Sequence, residues 1–234
     1  MNTHCTARSI VLTGLFLLMA NVFLAEAEEG FVDIFDGKTL KTWDGNPAHW
    51  SVKDGAITGE STKENPAKGN TFCIWRGGEL VDFELRLEFR IGNAGNSGIQ
   101  YRSKDYKNWV IGGYQADFDA GNGWTGTLYE ERGRGVLAKR GNKVIIDESG
   151  KKNGAGKTTD EKTILKSIKK GEWNDYTIIA QGNHLIQKIN DHVTIDVTDN
   201  QESKRVMKGL LALQLHAGPP MKVQFKNLRI KTLK

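Results

Sequence analysis

The polar residues best suited to acid–base chemistry lie between Asn96 and Arg134. This stretch contains N-S-G-I-Q-Y-R, then G-G-Y-Q-A-D-F-D, then T-G-T-L-Y-E-E-R-G-R. Gln100 and Arg102 alternate with Ile99 and Tyr101, and Gln115 and Asp117 alternate with Tyr114 and Ala116. Glu130, Glu131 and Arg132 follow Leu128 and Tyr129, and near the C-terminus Gln214 and His216 alternate with Leu213 and Leu215. Successive side chains of a strand point to opposite faces of a sheet. If these segments are strands of one sheet, Gln100, Arg102, Gln115, Asp117, Gln214 and His216 share a polar face. A solvated face of an antiparallel sheet also alternates, but it is usually built from Lys, Glu, Thr and Ser. Gln, Arg, Asp and His set among glycines read instead as a site.

Other chemistries are poorly supported. His49, His184, His192 and His216 have no metal-ligand spacing. Asp117, Asp119 and Asn122 offer oxygens to Ca²⁺ but lack an EF-hand pattern. No metal or other cofactor is therefore expected, with Ca²⁺ the one candidate. There is no G-x-S-x-G elbow, and Gly154–Thr158 lacks the leading glycine of a phosphate loop, that place being Lys151. Cys73 sits in the apolar run Phe72–Trp75 and reads as a small buried hydrophobe.

The elements that must position these residues are short strands with turn signals between them. Phe83–Ile91 is the clearest, nine residues in strict apolar/polar alternation. Asn190-Asp191 separates two strand-like runs and fits a hairpin turn. Twenty-seven glycines suit a turn-rich chain. The expectation is all-β: two packed antiparallel sheets, a sandwich or jelly roll. One short helix is expected near Glu161–Ile168, and residues 147–162 read as an exposed loop. Of the six tryptophans, Trp43, Trp50, Trp75 and Trp173 read as caps on the core. Trp109 and Trp124 flank the Tyr114–Asp117 segment and either cap the core or stack on sugar rings.

Residues 1–27 read as a secretory signal peptide, with Arg8 before an apolar run and Ala25-Glu26-Ala27 as cleavage site. Export to the periplasm or beyond follows, leaving 28–234 as one domain without a further membrane span. The net charge is +5, and much of the excess is lysine in and beside the 151–170 region. No aromatics interleave these lysines, so a nucleic-acid platform is not expected.

The ordered set Phe35-Asp36-Gly37-Lys38-Thr39-Leu40, Trp50-Ser51-Val52-Lys53-Asp54-Gly55, Asn96–Arg102, Tyr114-Gln115, Glu172-Trp173-Asn174 and Leu213–His216 resembles the 3-keto-disaccharide hydrolase domain family. The resemblance covers nearly all of 28–234. It implies a concanavalin-like jelly roll acting on 3-keto sugars, with a separate sugar 3-oxidoreductase supplying the keto group. Many members of that family carry an acid two places before the Tyr-Gln glutamine; here that place is Gly113.

A keto group at C3 acidifies the proton on C2, so a base can remove it and the enolate can expel the C1 substituent, water adding afterwards. Such a route needs a base, a group polarising the C3 oxygen, and an acid at the glycosidic oxygen. His216 or Asp117 would be the base and Glu131 or Glu130 the acid. Arg102 would polarise the ketone or orient a hydroxyl. Gln100, Tyr114, Gln115, Gln214, Trp109, Trp124 and Arg132 would bind the saccharide. The competing expectation is a non-catalytic carbohydrate-binding module, since fold does not fix function.

Overall fold

Burial along Phe83–Ile91 follows its sequence pattern: Phe83, Leu85, Leu87, Phe89 and Ile91 are buried, and the four residues between them are half-exposed. Each such burial contributes about 1.5–3 kcal/mol, so one face of this strand is committed to the core. The computed structural model describes Met1 and residues 30–234, and the leader expected over residues 1–27 lies, beyond Met1, outside them.

The strands are β1 (Val32–Asp33), β2 (Trp43–Asp44), β3 (Trp50–Lys53), β4 (Ala56–Ser61), β5 (Thr71–Trp75), β6 (Phe83–Ile91), β7 (Asn96–Asp105), β8 (Ile111–Asp119), β9 (Thr127–Glu131), β10 (Gly135–Ala138), β11 (Asn142–Ile146), β12 (Lys152–Lys157), β13 (Asn174–Gln181), β14 (His184–Ile189), β15 (His192–Asp199), β16 (Leu210–Leu215) and β17 (Met221–Thr232). The one helix of the described residues, α1 (Glu161–Ser167), is capped by the Asp160 carboxylate on Thr163 N–H. The larger sheet runs β12-β11-β15-β14-β13-β6-β17-β4-β3 with β1 on β17; the smaller runs β10-β9-β8-β7-β16-β5-β2.

The sheets pack face to face through an aromatic core. Phe118 of the small sheet meets Phe89 of the large one at 4.2 Å between ring centres, and Phe225 at 6.0 Å. The expected hairpin turn holds: Asn190 and Asp191 both adopt positive φ (46° and 67°) between β14 and β15.

The expected sandwich of two antiparallel sheets holds, with one parallel pairing inside it, β11 with β15. Two expectations are corrected. Residues 147–162 are not all loop, because β12 forms an exposed edge strand within them, held by main-chain pairing that needs no apolar side chains. Trp173 does not cap the core; it lies half-exposed beneath the Arg90 and Lys226 side chains, at 4.7 and 4.4 Å from its ring centre.

One departure from regular geometry shapes the site. The β7–β8 ladder is irregular between Tyr101 and Lys104. There Arg102 has a φ of 47° and Gly113 a φ of 153°. A bulge bends a strand, and beyond this one the hairpin tip folds over the outer face of the small sheet. Ile111 packs on Phe72, Ile74 and Ala212. Phe72 N–H donates to the Trp109 carbonyl (3.0 Å), and Trp109 Nε1 donates to Asp44 (2.7 Å). Arg76 bridges Asp44 and Asp105 at 2.7 and 2.9 Å.

Candidate active site

Three glutamines from neighbouring strands meet under the folded hairpin. Gln100 and Gln214 both donate through Nε2 to Gln115 Oε1, at 2.6 and 3.0 Å. Ser103 donates to Gln100 Oε1 (2.9 Å). All four residues are buried. Gly98 allows this arrangement, since a Cβ there would lie 2.5 Å from the Gln115 side chain. Gln214 Oε1 is buried and has no protein partner, so the network ends in an acceptor that a hydroxyl group would satisfy.

Asp117 lies one step along β8 on the same face as Gln115. Burial pushes its carboxyl up to about 7, against the hydrogen bonds it accepts from Asn96 and Gln115 and with a further push from the Asp119 charge. The Asn96 bond is 2.8 Å. A carboxyl titrating near neutrality can act as acid or base at physiological pH.

Glu131 pairs across the ladder with Gly113 and so moves with the folded hairpin. Burial raises its pKa, partly offset by His216, Arg132 and an Asn70 hydrogen bond. Asn70 also accepts from Ala217 N–H (3.0 Å), next to His216. The His216 ring presents Nδ1 to the Ala217 carbonyl. Because a carbonyl only accepts, Nδ1 carries the proton and Nε2 is left for other partners. Gly113 cannot host an acid, since a Cβ would fall 2.5 Å from Ser103 Oγ. Glu131, its cross-strand partner, supplies the carboxylate at that level.

Five sequence candidates are elsewhere. Arg102 does not share the face of Gln100. Its positive φ turns the side chain between the sheets, where Nε donates to the Val81 carbonyl (2.8 Å), Nη1 to that of Gly182 (2.6 Å) and Nη2 to Asp82 (2.9 Å). Tyr114 faces the core and donates to Asp199 (2.6 Å). Glu130 pairs in register with Tyr114 on that same inner side and is held by Arg134 (2.7 Å), which also grips Asp199 (2.6 Å). Arg132 is exposed and lies over the Tyr106 ring at 4.7 Å. Trp109 belongs to the hairpin clasp, and Trp124 stands exposed beside the face.

Sequence reading missed Asn70, Asn96 and Ser103. Asn96 has the same strand parity as Gln100 and was open to the same argument. Ser103 is brought in by the bulge, and Asn70 by a strand pairing with no local signal. Asp119 is no ready Ca²⁺ ligand, because its oxygens accept the N–H groups of Gly123, Trp124 and Thr125 (2.7–3.2 Å). Among the described residues no group of three His, Cys, Asp or Glu could hold a metal ion, and no helix is long and apolar enough to cross a membrane. Cys73 is buried, which pushes its thiol pKa far up. A larger cleft, about 640 Å³, lies on the far face of the large sheet. Its lining mixes both signs of charge, with Arg86 on Glu84 (2.7 Å), and reads as a solvated charged surface.

Two face-to-face, nearly all-β sheets give the chain a concanavalin-like jelly-roll fold. Two solved structures share the fold: a Parabacteroides distasonis protein provisionally classed as a glycosyl hydrolase (21% identity, TM-score 0.57, 87% of this chain and 99% of that one), and carbohydrate-binding module CBM66 of Bacillus subtilis (15%, 0.54, 82% and 96%). By sequence, residues 30–231 match the 3-keto-alpha-glucoside-1,2-lyase-like domain, and the chain belongs to that family. It is also 34% identical over 88 residues to a 3-keto-disaccharide hydrolase of Bacteroides thetaiotaomicron. That match spans 33% of this chain and 29% of the relative.

Proposed function

We propose that this chain is an exported enzyme that cleaves the glycosidic bond of 3-keto-glycosides by elimination followed by hydration. The observation that carries the reading is Asp117: a buried carboxyl titrating near 7, on one face with Glu131 and His216. Asp117 takes the C2 proton. The C–H electrons form the enolate of the C3 ketone, and the C1–O bond then breaks toward the glycosidic oxygen. Glu131, whose raised pKa favours the protonated form, delivers a proton there. When protonated, His216 keeps Nδ1–H on the Ala217 carbonyl and has Nε2–H to donate to developing oxyanion charge. Water adding across the new C1–C2 double bond gives the free keto sugar. The ketone itself acidifies C2–H, so the route calls for no cofactor. An enzyme that oxidises sugars at C3 would have to supply the substrate.

The test is turnover of 4-nitrophenyl 3-keto-glucoside beside its parent glucoside. Release from the keto sugar alone, lost in Asp117→Ala, supports the reading. Equal release from both sugars, or none from either, would overturn it.

A further inference from the structure

A second pocket adjoins the acid–base face, lined by Trp124, Thr127, Val136, Lys139, Arg140, Asn142 and Glu161. Trp124 is 47% exposed, the most exposed of the tryptophans, and meets Tyr129 edge-on at 6.4 Å. Thr127 and Tyr129 are the cross-strand partners of Asp117 and Gln115. Thr127 also lines the pocket, so the pocket borders the strand next to the one that carries the proposed base.

The loop carrying Trp124 is built to hold its shape. The Asp119 carboxylate binds the N–H groups of Gly123, Trp124 and Thr125. Arg140 donates to the carbonyls of Asn122 and Thr125 and is paired with Glu161 at 2.9 Å. A platform fixed before binding spares the ligand the cost of ordering it. The pocket offers an apolar ring with amide, ammonium and carboxylate groups at its rim, which suits the C–H face and hydroxyl edge of a sugar.

We propose that this pocket is the subsite for the ring attached to the leaving oxygen, with Trp124 as its stacking platform. The inference rests on the proposed elimination, which places the keto ring over Asp117. The test compares kcat/KM for 4-nitrophenyl and methyl 3-keto-α-glucosides, since only the first carries a ring on the leaving oxygen. In the wild type the ratio contains both leaving-group chemistry and stacking; in Trp124→Ala only the chemistry remains. The ratio is expected to fall about tenfold in Trp124→Ala and to be largely kept in Trp124→Phe. An unchanged ratio in Trp124→Ala would overturn the subsite.

If the wild type turns over neither keto sugar, the proposed reaction fails, and the subsite is then read by calorimetric titration with 4-nitrophenyl and methyl α-glucosides. Tighter binding of the nitrophenyl sugar, lost in Trp124→Ala, supports the subsite. Absence of that preference in the wild type, or its retention in the variant, overturns it.

Discussion

Glu131 ends β9 and His216 directly follows β16, with two strands between, yet His216 offsets part of the burial that raises the Glu131 pKa. The folded β7–β8 hairpin connects them: Glu131 is paired to Gly113 at the bend. The bend has its own sequence requirement. Gly113→Ala places a methyl 2.5 Å from Ser103 Oγ at a φ that disfavours side chains. We expect a loss of roughly 2–4 kcal/mol in urea unfolding, with a larger loss of activity than of stability because Glu131 is displaced.

Arg102 is expected to matter for stability and not for the chemical step. Its guanidinium ties the Val81 and Gly182 carbonyls to Asp82. Arg102→Ala strands these groups and should cost about 3–5 kcal/mol. Arg102→Lys keeps the charge, and thermal unfolding should show it between the two. Its folded protein should keep the wild-type kcat, whereas a ketone-polarising arginine would lose it.

Asp117 makes stability depend on pH in an unusual direction. An unfolded aspartate titrates near 3.8 and this one near 7. Between those values the folded protein holds a proton that the unfolded chain has released. The stability contribution therefore falls as pH rises through that window, and the full cost, roughly 2–4 kcal/mol, is reached above about 7. Asp117→Asn should gain on the wild type from pH ~4 to ~8 in urea titrations, with no relative gain below about 4.

Gln115 tunes Asp117. Its hydrogen bond favours the carboxylate, so Gln115→Met should move the acid limb of the pH–rate profile to higher pH. The same change leaves the Gln100 and Gln214 amides without their shared acceptor. That loss should cost about 1–3 kcal/mol by thermal unfolding.

Much of the fold was legible because it rests on local patterns. The alternation of Phe83–Ile91, the Asn190-Asp191 turn and the Glu161 helix each follow from side chains adjacent in sequence. Parity also brought Gln100, Gln115, Asp117 and Gln214 onto one face. It failed at Arg102, where a bulge changes which side the next residue faces, and it could not choose between Glu130 and Glu131. That choice depends on β8–β9 register, which sets Glu131 opposite Gly113 and Glu130 opposite Tyr114. The fold-over of the hairpin depends on contacts among Ile111, Phe72 and Asp44, which are distant in sequence and leave no periodic trace.

The most direct measurement of the central claim is the pH dependence of kcat/KM on 4-nitrophenyl 3-keto-glucoside for wild type and Asp117→Asn. With Asp117 as base, wild-type activity rises with pH through a midpoint near 7, and Asp117→Asn loses at least ~100-fold. A wild-type profile flat from pH ~5 to ~8, or a variant that keeps wild-type kcat/KM, would contradict it.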